Sequence, residues 1–130
     1  MTVLDLNHYS LAVAPEALEE TARFYTEVIG LRDGPRPDFA FPGRWLYCGD
    51  MAVVHLLGTG GPKGPEVPGT GQLDHIAFRA SGLAAMRAKL ENLGIAHRER
   101  TVPGRDLQQV FVRDPAGILI ELNYAEPATG

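Results

Sequence analysis

Residues 6–13 read LNHYSLAV, and residues 73–80 read LDHIAFRA. In each, apolar and small residues alternate around a single histidine, the pattern of a strand with one face in a core. The likeness continues outward: AVVHLLG at 52–58 is answered by ILIELNY at 118–124, with Glu121 standing where the first copy has His55. His75 follows His8 by 67 residues, Glu121 follows His55 by 66, and Gly94 follows Gly30 by 64. A chain that restates strand histidines, a polar strand residue and a glycine stop at intervals of 64 to 67 residues is read as two copies of one unit.

Each copy places a helix after its first strand. Pro15 suits a first helical position, apolar residues follow at Leu18, Ala22, Tyr25 and Ile29, and Gly30 provides a left-handed stop. The second helix is expected from a Ser81 cap through Leu83, Met86, Leu90 and Leu93 to Gly94. Strands are expected at Leu6–Val13, Trp45–Cys48, Ala52–Leu57, Leu73–Arg79, Leu107–Arg113 and Ile118–Tyr124, with weaker candidates at Phe39–Phe41 and Ala96–Arg100. Six glycines and three prolines make Gly58–Gln72 a linker. The expectation is an α+β chain of two tandem βαβββ modules, about 1–60 and about 73–126. A copy of about 65 residues is small for independent stability, so the two should share one core as a single domain over 1–130.

Composition narrows the function. The 130 residues carry 12 Lys+Arg against 16 Asp+Glu, a formal charge of −4, so the basic excess that draws a protein to nucleic acid is missing. Met1–Ser10 has neither a basic leader nor an apolar run, and no stretch approaches the roughly 20 apolar residues of a membrane span. A soluble, cytoplasmic protein is expected. The single cysteine, Cys48, reads as a small buried hydrophobe. Ser10 and Ser81 lie in no GxSxG elbow, and Gly58–Gly64 lacks the spacing of a phosphate loop. Arg98, Arg100 and Arg105 alternate with Glu99 and Asp106 as a solvated face, and His97 reads as a surface residue.

Four polar residues interrupt the strands: His8, His55, His75 and Glu121. Period-two alternation puts His8 with Ser10 and Ala12, and Glu121 with Leu119 and Asn123, on the faces turned away from the helices. Taken singly, a strand histidine is a hydrogen-bonded core or rim residue, and Glu121 has Arg79, Arg105 or Arg113 as alternative partners. Taken together, three of the four histidines and this carboxylate fall at matched places in a duplicated frame. A buried carboxylate needs pairing or coordination. Imidazole nitrogens and a carboxylate oxygen suit one divalent ion, among zinc, nickel, manganese, cobalt and iron(II).

These residues carry a resemblance. The NHYSLAV opening strand, RFYTEVIGL at the first helix end, LDHIAF at the start of the second half and FVRDPAGILIEL near the C-terminus together resemble the vicinal oxygen chelate superfamily, across nearly the whole chain. That superfamily includes glyoxalase I, extradiol dioxygenases, methylmalonyl-CoA epimerase, and the fosfomycin and bleomycin resistance proteins. The resemblance implies paired βαβββ modules in a curled mixed sheet around a metal-binding cleft, often completed by homodimerisation. It implies His8, His75 and Glu121 as ligands, and His55 at a position where glyoxalase I has glutamate. Ala12 stands where the glutathione-dependent enzyme has an arginine for the glutathione carboxylate.

A divalent ion polarises a carbonyl, or holds the two adjacent oxygens of an enediolate, by Lewis-acid catalysis. Four protein ligands on a six-coordinate ion leave two sites, enough for a chelating substrate of an isomerase or lyase. Three leave room for a catecholate plus dioxygen, the arrangement of a ring-cleaving dioxygenase. By analogy with glyoxalase I, Glu121 or a group opposite it is expected to shuttle a proton beside the ion. Trp45, Tyr47, Gln109, Phe111 and Asn123 are candidates for the wall contacting a small-molecule substrate, while Arg44 and Arg79 read as solvated ion pairs. The rival class is a metal-free sequestering protein of the bleomycin-resistance kind.

Overall fold

Each half of the chain forms a four-stranded sheet, and the two sheets repeat one strand order. The structure is a computed structural model that describes residues 1–2, 4–60 and 75–127. Of the expected linker 58–72, positions 61–72 lie outside the described residues, as do Leu73 and Asp74 of the expected fifth strand. The chain divides into two compact units, Met1–Gly64 and Pro65–Gly130.

The first unit runs β1 (Tyr9–Ala12), a 3-10 turn (Pro15–Ala17), α1 (Leu18–Arg23), a π-helical segment (Phe24–Ile29), β2 (Arg32–Gly34), β3 (Gly43–Cys48) and β4 (Met51–Leu57). Its sheet order is β1-β4-β3-β2, with β1 parallel to β4 and the other pairs antiparallel. The second unit runs β5 (Ile76–Ala80), α2 (Leu83–Asn92), β6 (Arg98–Thr101), β7 (Gln108–Arg113) and β8 (Leu119–Tyr124). Its order is β5-β8-β7-β6, with the parallel pair again first. The fold is α+β, two mixed sheets with few helices, neither closed into a barrel.

Alternation along the strands sets the two faces. In the first unit Leu11, Val13, Leu46, Val54 and Leu56 are buried, as are Leu18, Ala22, Tyr25 and Val28 of the helical run. In the second, Leu83, Met86 and Leu90 of α2 are buried, as are Val110, Val112, Ile120, Leu122 and Tyr124. Gly30, at φ 88°, ends the first helical run in a conformation that a side chain would strain. The DPAG stretch is a turn whose aspartate closes it: Asp114 Oδ1 accepts from the Ala116 N–H at 2.9 Å and the Ile118 N–H at 2.8 Å.

Several expectations need correction. The first helix is not uniformly α: it begins as a 3-10 turn and ends as a π segment. Ser81 does not cap α2; the cap position is Gly82, and the Glu126 carboxylate accepts from the Gly82 N–H at 2.7 Å and the Leu83 N–H at 3.2 Å. A carboxylate from the far end of the unit takes the two orphan donors and meets the positive helix end, so no local hydroxyl is needed. Leu93, expected in the apolar stripe, is 48% exposed because α2 ends at Asn92. Phe39–Phe41 is not a strand; β2 forms earlier, where Arg32–Gly34 pairs with Trp45–Tyr47. A three-residue strand reading Arg-Asp-Gly has no apolar pattern to announce it. Cys48 is exposed, not buried, since β3 ends there at the turn into β4.

Candidate functional site

In the first unit, β3 and β4 place Trp45 opposite His55, and β1 places Ser10 on His55's other side. His8 lies two residues before Ser10, on the same face. The three rings form a stack, with Trp45 over His55 at 4.0 Å between centroids and His55 over His8 at 3.7 Å, both within 12° of parallel. A β-bulge supports this arrangement. Register steps from Leu46↔Val54 to Tyr47↔Ala52, and the Ala52 carbonyl beside the irregularity lies 3.0 Å from His55 Nε2. With Nε2–H donating there, Nδ1 carries the lone pair. His8 Nδ1 lies 2.8 Å from Asn7 Oδ1, which leaves the lone pair on its Nε2. Burial, then the charge of His8, lowers the His55 pKa below the ordinary imidazole value of 6.5, against the raising effect of the Ala52 bond.

In the second unit the corresponding face carries a polar string. Arg100, Gln109 and Asn123 lie across β6, β7 and β8 in register, as do Arg98, Phe111 and Glu121. Arg100 Nε donates to Gln109 Oε1 at 2.9 Å, Gln109 Nε2 donates to Asn123 Oδ1 at 3.1 Å, and Asn123 Nδ2 donates to Glu121 Oε2 at 2.7 Å. The other oxygen of Glu121 lies 3.5 Å from His75 Nε2. Glu121 is buried at 8% exposure, and its neighbours hold the carboxylate at a set angle. Phe111 lies under two guanidiniums, Arg98 at 4.8 Å and Arg100 at 5.6 Å from its ring.

The four expected ligands are thus brought together as two pairs: His8 with His55, and His75 with Glu121. Within either unit, among the described residues, no group of three or more His, Cys, Asp or Glu side chains forms a ligand cluster. By donor chemistry the pairs fit a divalent transition ion: the first unit offers two imidazole lone pairs, and the second offers an imidazole beside an oriented carboxylate. Parallel stacked rings keep their lone pairs in parallel planes, so the His8–His55 stack is not itself a chelate. Trp45 and the Ala52 carbonyl hold His55, whereas His8 is exposed and precedes β1.

The expected substrate wall divides. Trp45 stands beside His55. Gln109 and Asn123 spend polar atoms on the string to Glu121. Tyr47 faces β2, its hydroxyl donating to the Pro35 carbonyl and its ring 5.0 Å from the Arg32 guanidinium. Arg44 pairs with Glu19 and lies 3.6 Å from Asp33, the solvated pairing expected of it. Arg98 and Arg100 do more than face solvent, a role the alternating charges of 98–106 concealed. Sequence reading also missed Arg36, Phe39 and Phe41, which join Ser10, Trp45 and His55 around a cavity of about 190 Å³. They lie in a loop, where no periodicity reports the direction of a side chain.

Residues 5–122 match the family described as Glyoxalase/Bleomycin resistance protein/Dioxygenase superfamily. A curated relative from Arabidopsis thaliana, named Glyoxylase I 4, is 34% identical over 122 residues, which cover 90% of this chain and 68% of the relative. Among solved structures, a Bacillus anthracis protein assigned to the glyoxalase family superposes with TM-score 0.74 at 23% identity, covering 95% of this chain and 97% of that one. The fosfomycin resistance protein FosX of Listeria monocytogenes superposes with TM-score 0.71 at 16% identity, covering 95% and 94%. At these identities the superpositions speak to the fold alone. No helix among the described residues is long and apolar enough to cross a membrane.

Proposed function

Because the chain belongs to the glyoxalase/bleomycin resistance protein/dioxygenase superfamily, we propose that it is a metal-dependent enzyme of the glyoxalase kind. It acts as an isomerase or lyase on a small molecule that chelates a divalent ion through vicinal oxygens. The observation that carries this reading is His75 beside a buried Glu121 carboxylate that Asn123 orients. On this reading residues 1–130 work as one domain, the chain acts as a homodimer, and His8, His55, His75 and Glu121 are its metal ligands.

The bound ion would supply Lewis acidity to two adjacent substrate oxygens. The chain's own residues do the rest. Trp45 and the Ala52 carbonyl hold the His55 ring. Asn123 takes one Glu121 oxygen, so the oxygen turned toward His75 is the one that accepts and returns a proton. Gln109, itself held by Arg100, keeps Asn123 in the orientation that donates to Glu121.

Metal analysis of protein purified without added metal tests the proposal, followed by titration of His75→Ala and Glu121→Ala. The expected result is about one divalent ion per site, lost in both variants. No bound ion, together with unchanged affinity in both variants, refutes it and favours a metal-free sequestering protein. One observation supports a second reading: the Nε2 of His55 is engaged by Ala52 and its ring is stacked on both faces. His8, His75 and Glu121 without His55 are a two-histidine, one-carboxylate ligand set, the donor chemistry of iron(II) and dioxygen. Oxygen uptake with catechols and ferrous iron separates the two readings.

A further inference from the structure

The loop between β2 and β3 builds a feature that neither the metal reading nor the duplication requires. Phe39 and Phe41 lie stacked, their centroids 5.2 Å apart and their planes within 11° of parallel. The Arg36 guanidinium lies 5.1 Å from the Phe39 ring and 5.0 Å from the Phe41 ring, and its Nη2 donates to the Phe41 carbonyl at 2.8 Å. Gly43 makes room for it: a Cβ there would stand 2.9 Å from Arg36 Nη2 and 2.5 Å from the Leu56 carbonyl. The guanidinium is therefore fixed by a carbonyl, two aromatic rings and a missing side chain. Among the described residues no carboxylate lies within ion-pair distance of it.

Such a group is a pre-organised cation with further N–H donors beyond the one given to Phe41. A guanidinium presents a planar fork that matches a carboxylate. The cavity it lines holds about 190 Å³ and shares walls with Trp45 and His55. That volume is below the roughly 300–1,000 Å³ of sites for drug-sized ligands. It suits one flat ring with a short substituent. Aromatic walls favour a flat apolar body, by stacking and by edge contacts.

We propose that this cavity is the subsite for the remote part of the substrate: Arg36 receives a carboxylate, and Phe39, Phe41 and Trp45 receive the planar, conjugated or aromatic body that bears it. The substrate class is thereby an aryl or similarly flat carboxylate whose reacting oxygens extend toward His55. This deepens the functional reading above and rests on it, since the wall shared with His55 is what makes the cavity a substrate subsite.

Trp45 is the chain's only tryptophan, so intrinsic fluorescence reports on this wall. The probes are benzoate and its neutral isostere benzamide, titrated into protein stripped with chelator. Saturable quenching with at least about tenfold tighter binding of benzoate is expected, and salt should weaken benzoate but not benzamide. Arg36→Gln should bring the ratio close to one, and Arg36→Lys should restore only part of it, because the charge remains and the fork does not. Equal affinities in the wild-type protein, absence of saturation by either probe, or a preference that survives Arg36→Gln would overturn the proposal. The wild-type ratio needs no variant, so it decides even where Arg36→Gln does not fold. Stripped protein requires no metal; loss of the metal reading leaves this ratio intact, and a ratio of one leaves metal binding intact.

Discussion

Replacing Asn123 with alanine removes the middle of the string that ends on Glu121. Two bonds disappear: Asn123 Nδ2 to the Glu121 carboxylate at 2.7 Å, and Gln109 Nε2 to Asn123 Oδ1 at 3.1 Å. A bond to a charged acceptor contributes about 1.5–3 kcal/mol and a neutral amide pair about 0.5–1.5 kcal/mol. Asn123 is half-buried, so water takes over part of both, and the net cost should be about 2 kcal/mol. For a chain of this length that is a fall in Tm of roughly 6–10 °C, or a urea midpoint lowered by about 1 M at unchanged slope. Gln109→Leu completes a double-mutant cycle; residues sharing one network should couple by at least about 0.5 kcal/mol. On the proposed function the same Asn123→Ala variant retains divalent metal about 10–100-fold less tightly, as loss of a partner that orients a ligand does. A stability loss under about 0.5 kcal/mol, with the two substitutions strictly additive, would show that the string orders nothing.

Glu126→Ala should destabilise α2 by about 1 kcal/mol, with its first turn losing amide protection in hydrogen exchange, and Ser81→Ala should cost far less. In metal-free protein, the lowered His55 pKa makes the unfolded chain hold more protons between the folded value and about 6.5. Its contribution to stability is therefore present above about pH 7 and is lost as pH falls through the folded value; urea midpoints across that range should fall less steeply in His55→Gln. Leu90→Ala, at a buried position of α2, should cost about 2–5 kcal/mol by denaturant titration. Exposed Cys48 should react with a thiol reagent in the folded protein to one equivalent, and Cys48→Ser should change stability by less than about 0.5 kcal/mol.

Much of this molecule is written in short-range order. The interval separating the paired strand residues, the glycine at each helix end and the period-two alternation sufficed to divide the chain, select α+β and single out His8, His55, His75 and Glu121. Each of those signals depends on neighbours within a few residues or on simple repetition, and both survive in a linear string. What only the folded chain decided involves groups far apart in sequence. Glu126 replaces Ser81 as the cap because a carboxylate 44 residues beyond Gly82 returns to the helix end. Gln109 and Asn123 become supports for Glu121 because β7 and β8 set them side by side. Arg36, Phe39 and Phe41 meet Trp45 and His55 only because a loop with no period folds over β3, and direction in such a loop is set by packing and by room at Gly43, not by local propensity. Periodicity reports which face a residue takes, whereas hydrogen-bond partners and cavities depend on which segments the fold brings to that face.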